Sequence, residues 1–427
     1  MSAVRVRTSP GEAILGHALV RMAVGAGSVL VGLVLATAAA SAHARVSLAA
    51  LSGWLGMAAY AAELAASLPL GAAADVREPG TLMAGGAVLS AVALVLFAAA
   101  VSLPLWVFSR VLAGAAAAAV TPPLLAVLAG SVQGPIQRAR LMSLFELSML
   151  AGLAVGPVLA AELWAQAAHA AFGVCALLCL PAAALLYRGA GAGRGASGGG
   201  RAGRQALFPS IRAALRAALT DVSLRRLAPA WLCFNTIIGL WLGPTVTYLL
   251  SAPDTRHLQY LDGLFAQRPS TLGWVFLGYA AVFAAGLSGW AIVLGRIGAA
   301  RVLRVSLAAM LAVSAVLFGL NRCQSCRPQT RAGLVILAAL LVMIESGFTP
   351  AALSWLAASL RAQRAAGAAM GIYSVLFSVG GALGSLLAGA LAQAGGMQAL
   401  LLGTAALAVI AWLSLPRMTA ATVRAVP

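Results

Sequence analysis

The sequence contains no lysine and only ten acidic residues, and charged side chains make up just 9% of its 427 residues. It also has only four histidines and five cysteines. A soluble helical bundle needs polar outer faces, which so few charges do not supply. The alternating polar and apolar segments of a membrane β-barrel are missing as well. The sequence therefore argues against both of these fold classes.

Several motifs of enzyme active sites are also missing. The sequence has no phosphate-binding P-loop, no H-E-x-x-H zinc pair and no G-x-S-x-G nucleophile turn. We therefore expect neither an enzyme activity nor a cofactor nor a metal site. Without a P-loop, ATP is not the expected direct source of energy, and an ion gradient is the natural alternative.

Long apolar runs recur along the whole chain. Hydrophobic residues make up 62% of it, and its mean hydropathy is +0.97. Because a bilayer core about 30 Å thick needs roughly 20 apolar residues per helical crossing, the sequence predicts an all-α, polytopic membrane protein. Its twelve predicted spans are 18–40, 49–71, 82–102, 104–129, 142–163, 168–187, 227–250, 272–294, 303–320, 332–356, 367–392 and 397–415.

The arginines give the expected orientation. If the N-terminus is cytoplasmic, twenty arginines fall in inside segments and six in outside segments. This distribution follows the positive-inside rule and places both termini in the cytoplasm. The net charge of +18 is explained by these loops, so we expect no nucleic-acid partner. The alanine and arginine bias indicates a GC-rich bacterial genome, and hence a bacterial inner membrane.

The chain is predicted to consist of two related halves. Residues 188–226 are rich in glycine and arginine, which is typical of a flexible basic linker on the cytoplasmic side. They separate an N-terminal six-helix bundle, 1–187, from a C-terminal one, 227–427. The pattern Gly152-x-x-x-Gly156 in the fifth span recurs as Gly380-x-x-x-Gly384 in the fifth span of the second half. Repeated halves with a site between them are typical of secondary transporters.

Two carboxylates within predicted spans are candidate transport residues, because a charge inside the bilayer is costly and usually functional. Glu63 lies on one helical stripe with Tyr60 and two serines. Glu345 lies near the middle of the tenth span. In such a setting, a carboxyl group can take up a proton and release it. The alternative for both is a static hydrogen bond or ion pair within the bundle.

Three further cationic residues lie at or within spans. Arg110 is either a core charge with a partner or a snorkelling side chain near a helix end. Arg21 and His17 lie at the start of the first span, where snorkelling is the expected role of Arg21.

Polar and aromatic residues with helical spacing suggest a mostly apolar substrate cavity for an amphipathic molecule. These candidates are Tyr60, Asn235, Trp241, Thr245 and Tyr279. Cys323 and Cys326 have a C-x-x-C spacing in a loop expected to lie outside, and either a local disulfide or two free thiols fits the pattern.

Three motifs in the first half resemble those of the major facilitator superfamily. The segment from Gly71 through Asp75 and Arg77 to Gly80 is similar to the family's loop motif between helices 2 and 3, although Val76 replaces the usual arginine. Arg110-Val-Leu-Ala-Gly114 resembles the R-x-x-x-G motif of helix 4. Gly152-Leu-Ala-Val-Gly156-Pro157 resembles the G-x-x-x-G-P motif that is associated with exporters.

The resemblance implies two six-helix bundles that rock around a central site. It also implies that Asp75 acts as a latch of the outward-facing state, together with Gly71 and Arg77. Small residues allow close helix packing and proline allows a bend, so both a packing role and a hinge role remain open for Gly152, Gly156, Pro157, Gly380 and Gly384.

The predicted function is proton-coupled export of a small organic compound by alternating access. The expected partners are that substrate, the coupling proton and the lipid bilayer, and the chain is expected to act as a monomer. Two alternatives remain open. One is gradient-driven uptake of a small solute with Arg110 contacting an anionic group, and the other is a transporter-like receptor or scaffold without flux.

Overall fold

The structure is a computed structural model, and it describes residues 9–41, 47–73, 77–131, 135–190, 222–252, 259–361 and 366–415. All regular elements in these ranges are helices. In chain order they are α1 (Pro10–Ser41), α2 (Leu48–Ala73), α3 (Pro79–Ala99), α4 (Leu103–Ser131), α5 (Pro135–Ala167), α6 (Ala170–Gly189), α7 (Val222–Leu242), α8 (Pro244–Ser251), α9 (Pro269–Ile297), α10 (Ala299–Asn321), α11 (Pro328–Glu345), α12 (Phe348–Arg361) and α13 (Ala366–Ser414). This confirms the all-α class.

Prolines define where many of these helices begin. Proline has a fixed φ and no N–H, and both properties suit the first helical position, where the N–H would lack an intrahelical partner. The helices that begin on a proline are α1, α5 and α9 at Pro10, Pro135 and Pro269, and α3, α8 and α11 at Pro79, Pro244 and Pro328.

Ten of the described helical stretches are long and apolar enough to cross a membrane, and the bent pair α7–α8 makes an eleventh. The longest stretch, Val375–Ser414, contains a break at Gly395 and Gly396. Gly396 has φ of 59°, which is left-handed and favours glycine. This break separates the predicted spans 367–392 and 397–415, as the sequence indicated.

Two predicted spans are not continuous helices. The span 227–250 bends by 42° at Gly243, between α7 and α8. The span 332–356 breaks at Ser346 and Gly347, between α11 and α12. The apolar pattern did not show either break, because hydropathy continues across both.

Contacts divide the chain into two compact units. The first unit comprises Met1–Val34, Leu55–Pro209 and Gln267–Leu277. In it, α3 packs against α4 and α6, and α1 and α5 contribute to the same core through residues such as Val20 and Phe145. The second unit comprises Leu35–Trp54, Ser210–Ala266 and Gly278–Pro427, and in it α13 packs along α7 and α10 packs against α11. Most of the predicted linker, 191–221, lies outside the described residues.

Candidate functional site

A close crossing of α2 and α4 explains the spacing of Arg110 and Gly114. A Cβ atom on Gly114 would overlap the carbonyl oxygen of Ala59, so only glycine allows the two backbones to approach this closely. Arg110 lies one turn away on the same face of α4. Its Nε donates a long hydrogen bond, 3.5 Å, to the carbonyl oxygen of Leu55 on α2. The Arg–Gly pair therefore places a guanidinium beside α2 inside the first unit.

The stripe on α2 brings Tyr60 and Glu63 into this charged region. Tyr60 interacts electrostatically with Glu63, Arg21 and Arg110. Glu63 is half-buried, and Arg21 on α1 is the cation that acts on it. The first unit thus gathers one carboxylate, one phenol and two guanidinium groups from three helices.

Arg21 is bonded within the first unit, and its snorkelling stays a prediction. Helix α1 begins at Pro10, so Arg21 lies three turns inside the helix rather than at its start. Its Nε donates to the sulfur of Met149 on α5 at 2.7 Å. Hydropathy alone placed the start of this span too late, because the first turns of α1 contain polar residues.

His17 is also an internal residue. It is fully buried, its Nδ1 lies 2.7 Å from the Ser148 hydroxyl oxygen, and its ring stacks on Phe145 at 4.8 Å. Ser148 donates to the carbonyl oxygen of Phe145 at 2.6 Å. The histidine thereby links α1 to α5 one turn before Arg21.

The helix 5 motif makes the crossing of α1 and α5 possible. A Cβ atom on Gly152 would overlap Arg21, and one on Gly156 would come within 2.6 Å of the carbonyl oxygen of Met22. Pro157 follows at the point where α5 meets α9, since a Cβ atom on Gly273 would lie 2.9 Å from the Pro157 carbonyl oxygen. These glycines are packing residues in the structure, and their role as a hinge stays a prediction.

The second unit repeats this crossing with α7 and α13. A Cβ atom on Gly380 would overlap Asn235, and one on Gly384 would overlap the carbonyl oxygen of Thr236. Gly380 thus contacts Asn235 on α7 as Gly152 contacts Arg21 on α1. The glycine match between the halves reflects the same packing of a first and a fifth helix.

Asn235 is a polar residue in the interior of the second unit. It is 2% exposed, and its amide nitrogen has no hydrogen-bond partner among the described residues. A buried donor without a partner is costly, so a native structure that retains one usually uses it for something else. The role of Asn235 in a substrate cavity stays a prediction.

The other predicted cavity residues of the second unit have interhelical contacts. The indole of Trp241 donates to Thr404 on α13 at 3.1 Å. Thr245, fully buried in α8, accepts a hydrogen bond from Ser52 at 2.9 Å. Their role in binding a substrate stays a prediction.

Glu345 occupies the end of a broken helix. It is the last residue of α11 and is 8% exposed, and α12 begins three residues later at Phe348. No arginine or histidine among the described residues acts on it electrostatically. Tyr279 on α9 is the titratable neighbour that interacts with it. Glu345 is therefore a buried carboxyl group without a described cation, at a discontinuity within a predicted span.

The carbonyl groups released by this break are bonded by side chains that the sequence analysis did not single out. The indole N–H of Trp290 on α9 is shared between the carbonyl oxygens of Met343, at 3.2 Å, and Ile344, at 3.0 Å. Ser306 on α10 donates to the Ile344 oxygen at 3.2 Å. Side chains of neighbouring helices commonly satisfy such groups in membrane proteins.

Two glycines let α9 lie against the break. The Trp290 ring occupies the space that a Cβ atom on Gly347 would need, at 2.6 Å, and a Cβ atom on Gly286 would overlap Met343 and Ser346. Gly286 and Trp290 are one turn apart on α9. The signal available in the sequence was the pair Ser346-Gly347 directly after Glu345, which combines a weak helix former with a helix breaker.

The loop motif after α2 is described only in part. Gly71 lies near the end of α2, where a Cβ atom would touch Pro122 of α4 at 3.6 Å, an ordinary contact. Arg77 is exposed, and its backbone N–H bonds to the Ala73 oxygen at 2.8 Å. Asp75, the predicted latch, lies outside the described residues.

Within the described ranges, no group of three or more histidine, cysteine, aspartate or glutamate side chains is placed to hold a metal ion. The functional groups described in the two units are single carboxyl groups, guanidinium groups, hydroxyls and an amide. These groups can exchange protons and bind polar or ionic parts of a small molecule.

Comparisons with known proteins agree with this architecture. The family model of the Major Facilitator Superfamily matches residues 13–266 and 258–425. The fold is similar to that of the human organic anion transporter MFSD10 (TETRAN), with a TM-score of 0.64 and 16% sequence identity, over 97% of this chain and 100% of that chain. The search of curated proteins gave no significant match.

At this identity the structural likeness shows the fold alone, whereas the family model covers nearly the whole chain. Members of this family are membrane transporters that bind small-molecule substrates in a lipid bilayer, and they are not enzymes. The chain is therefore a multi-pass membrane protein that belongs to the major facilitator superfamily, with the fold of a secondary transporter for a small solute.

Proposed function

We propose that the protein exports a small organic compound by alternating access and that an inward flow of protons drives the cycle. The observation that carries this proposal is Glu345, a buried carboxyl group at a helix break. The arginine distribution supports a cytoplasmic location for both termini, and hence protons entering from the outer side of a bacterial inner membrane.

The position of Glu345 suits a group that is charged in only part of the cycle. Its charge is uncompensated by any described cation, and a lone carboxylate in a low-dielectric interior is costly. The protonated form is neutral and can also donate a hydrogen bond. Because the half-helices α11 and α12 meet here, a change in the charge of Glu345 can change the orientation of one half-helix relative to the other.

Glu63 has a different environment and is assigned a different role. Arg21 acts on it from α1, whereas no described cation acts on Glu345. A substrate cation that enters this region competes with Arg21 for Glu63. We therefore assign Glu63 to a site where substrate and proton bind in turn.

The direction of export rests on the helix 5 motif. The structure packs Gly152 and Gly156 directly against α1, so the movement of α5 and that of the residues around Arg21 are linked. Asp75 completes the proposal as the latch of the outward-facing state.

The experiment is proton and substrate flux in proteoliposomes with an imposed pH gradient. A panel of organic cations, neutral compounds and anions is tested with wild type, Glu345→Gln and Glu63→Gln. Glu78→Gln is the matched control, because the Glu78 side chain accepts a surface hydrogen bond from Thr81 at 3.0 Å, which glutamine retains. We expect substrate-dependent proton movement in wild type and control.

In Glu345→Gln, the rate of proton-driven transport should fall at least about tenfold, which corresponds to an activation barrier that is about 1.4 kcal/mol higher. Exchange of labelled for unlabelled substrate needs no net proton release, so it should persist in this variant. Undiminished proton-driven flux in Glu345→Gln would show that Glu345 is not the coupling group. A wild type that transports nothing across the panel would favour the receptor or scaffold alternative.

The second candidate is gradient-driven transport of an organic anion. Two guanidinium groups, Arg21 and Arg110, act on the same tyrosine inside the first unit, and the structurally similar human protein is an organic anion transporter by its title. If anions are the transported class, Arg110→Gln should weaken their binding more than that of neutral compounds, and the flux should run inward.

A further inference from the structure

The turn between α10 and α11 carries a disulfide bond between Cys323 and Cys326. The two residues between them, Gln324 and Ser325, are exposed, and the cysteines themselves are half-buried. Since the bond closes a loop of only four residues, it removes less entropy from the unfolded chain than a disulfide that closes a longer loop. Helices α10 and α11 pack against each other in any case, so the bond is not needed to bring the two helices together.

The surroundings of the disulfide are strongly cationic. Arg322 and Arg327 flank the two cysteines in sequence, and Arg331 lies one turn into α11. The guanidinium of Arg331 donates to the Cys323 carbonyl oxygen at 3.0 Å and also to that of Gln324. A positive environment stabilises a thiolate, which is the form that carries out exchange and the form released when a disulfide is attacked.

Arg331 also joins the disulfide loop to a neighbouring stretch, residues 259–262, which we name the cap segment. The guanidinium lies 4.4 Å from the ring centroid of Tyr260. Tyr260 in turn donates from its backbone N–H to the Asn321 carbonyl oxygen at 2.9 Å. The Asn321 side chain bonds to the backbone N–H of Leu261 at 3.0 Å and to the side-chain oxygen of Gln259 at 2.7 Å.

The cap segment is hydrogen-bonded to α13 at the break at Gly395 and Gly396. The part of α13 after this break, which ends at Ser414, is called its last arm. Gln259 accepts from the backbone N–H of Gln398 at 2.6 Å and donates to the Gly395 oxygen at 2.8 Å. Asp262 accepts from the backbone N–H of Met397 at 3.1 Å. These bonds satisfy N–H groups at the break in α13 that have no intrahelical partner. A continuous set of contacts therefore runs from the disulfide loop through Arg331 to this break.

We propose that Cys323–Cys326 is a reversible thiol–disulfide exchange site whose redox state controls the hold of the cap segment on α13. The reductant is a small thiol or the dithiol of an oxidoreductase. Its thiolate attacks one cysteine sulfur, the S–S bond breaks and the other cysteine leaves as a thiolate. A second reductant thiolate then attacks the mixed disulfide, so that two electrons and two protons pass to the pair and the reductant becomes a disulfide.

The location of the pair fits this chemistry. The arginine distribution predicts that the α10–α11 loop faces outward, and disulfides persist on the oxidising side of a membrane. Reduction removes the covalent constraint on the loop whose carbonyl groups hold Arg331, so Arg331 loses its fixed position over Tyr260.

The first measurement is a redox titration of the folded, detergent-solubilised protein against mixtures of reduced and oxidised glutathione. Free thiols are trapped with a maleimide-polyethylene glycol reagent and counted by the shift on a gel. Cys175, Cys179 and Cys233, which are free cysteines, are replaced by alanine so that only the pair is counted. We expect two thiols to appear together within the glutathione range. A pair that stays oxidised until the protein is unfolded overturns the proposal.

The second measurement is amide hydrogen exchange of residues 259–263 and 396–399 in the oxidised and reduced protein. Loss of a contact worth about 1.4 kcal/mol corresponds to exchange that is about tenfold faster. Arg331→Gln should give the same acceleration with the disulfide intact, because it removes the contact between the Arg331 guanidinium and the Tyr260 ring. Reduction without any change in exchange refutes control of the cap segment. Neither measurement uses transport, so both are independent of the proposed function.

Discussion

Trp290 and Ser306 should be energetically coupled, because both donate to the same carbonyl oxygen at the helix break. Trp290→Phe keeps a ring against Gly347 but removes the indole N–H. Met343 would still accept from the Ser346 hydroxyl at 2.8 Å, and Ile344 from Ser306 at 3.2 Å. Since neither carbonyl becomes orphaned, we expect a loss of about 1–1.5 kcal/mol in the free energy of unfolding, which is the net value of one hydrogen bond.

The double variant should lose more than the sum of the single ones. Ser306→Ala alone leaves Ile344 bonded to Trp290 and should cost about 1 kcal/mol. With both donors removed, the Ile344 carbonyl oxygen keeps two local backbone contacts, from the Ser346 N–H and from the Gly347 N–H at 3.4 Å. Loss of the last side-chain donor to this carbonyl adds about 1 kcal/mol, and this excess is the coupling energy of the cycle.

The assay is reversible unfolding in mixed detergent micelles for the wild type, both single variants and the double variant. Trp412→Phe is the matched control, because Trp412 is 49% exposed and lies in the last arm of α13. It should change stability by less than about 0.5 kcal/mol. Additivity within about 0.3 kcal/mol in the double-mutant cycle would refute the shared role of these two donors.

Two further predictions follow from the helix contacts. Gly114→Val places a side chain into the Ala59 oxygen and should lower the free energy of unfolding by about 2 kcal/mol or more. Gly173→Val is the control and should be nearly neutral, because a Cβ atom at Gly173 meets nothing within 4 Å. Equal effects of the two substitutions in a thermal unfolding assay would contradict the α2–α4 crossing. Asn235→Leu should leave stability unchanged or raise it by about 1 kcal/mol, because it removes a buried donor without a described partner, and transport should fall. A clear loss of stability in that variant would mean that the amide is bonded in the native protein.

The fold class followed from the sequence because the bilayer core offers the backbone no hydrogen-bond partners. Each crossing needs about 20 apolar residues with all backbone groups bonded internally, so length and hydropathy suffice to locate a helix. The glycine pairs at 152, 156, 380 and 384 were also informative, since a repeated small-xxx-small pattern indicates close helix contacts. The same reasoning selected Glu63 and Glu345, because charges within such runs are rare.

The sequence by itself determined which segments are helical and apolar and which ionisable residues lie within them. It did not determine the environment of those residues, because a helical position specifies a face but not the neighbour that the face meets. Only the tertiary structure decided that Arg21 acts on Glu63 and donates to Met149 on α5. It also decided that Glu345 ends a helix whose freed carbonyl groups bind Trp290 and Ser306, residues 55 and 39 positions away in the chain. Such contacts depend on how closely helices approach, and that distance is set by side-chain packing over the whole unit.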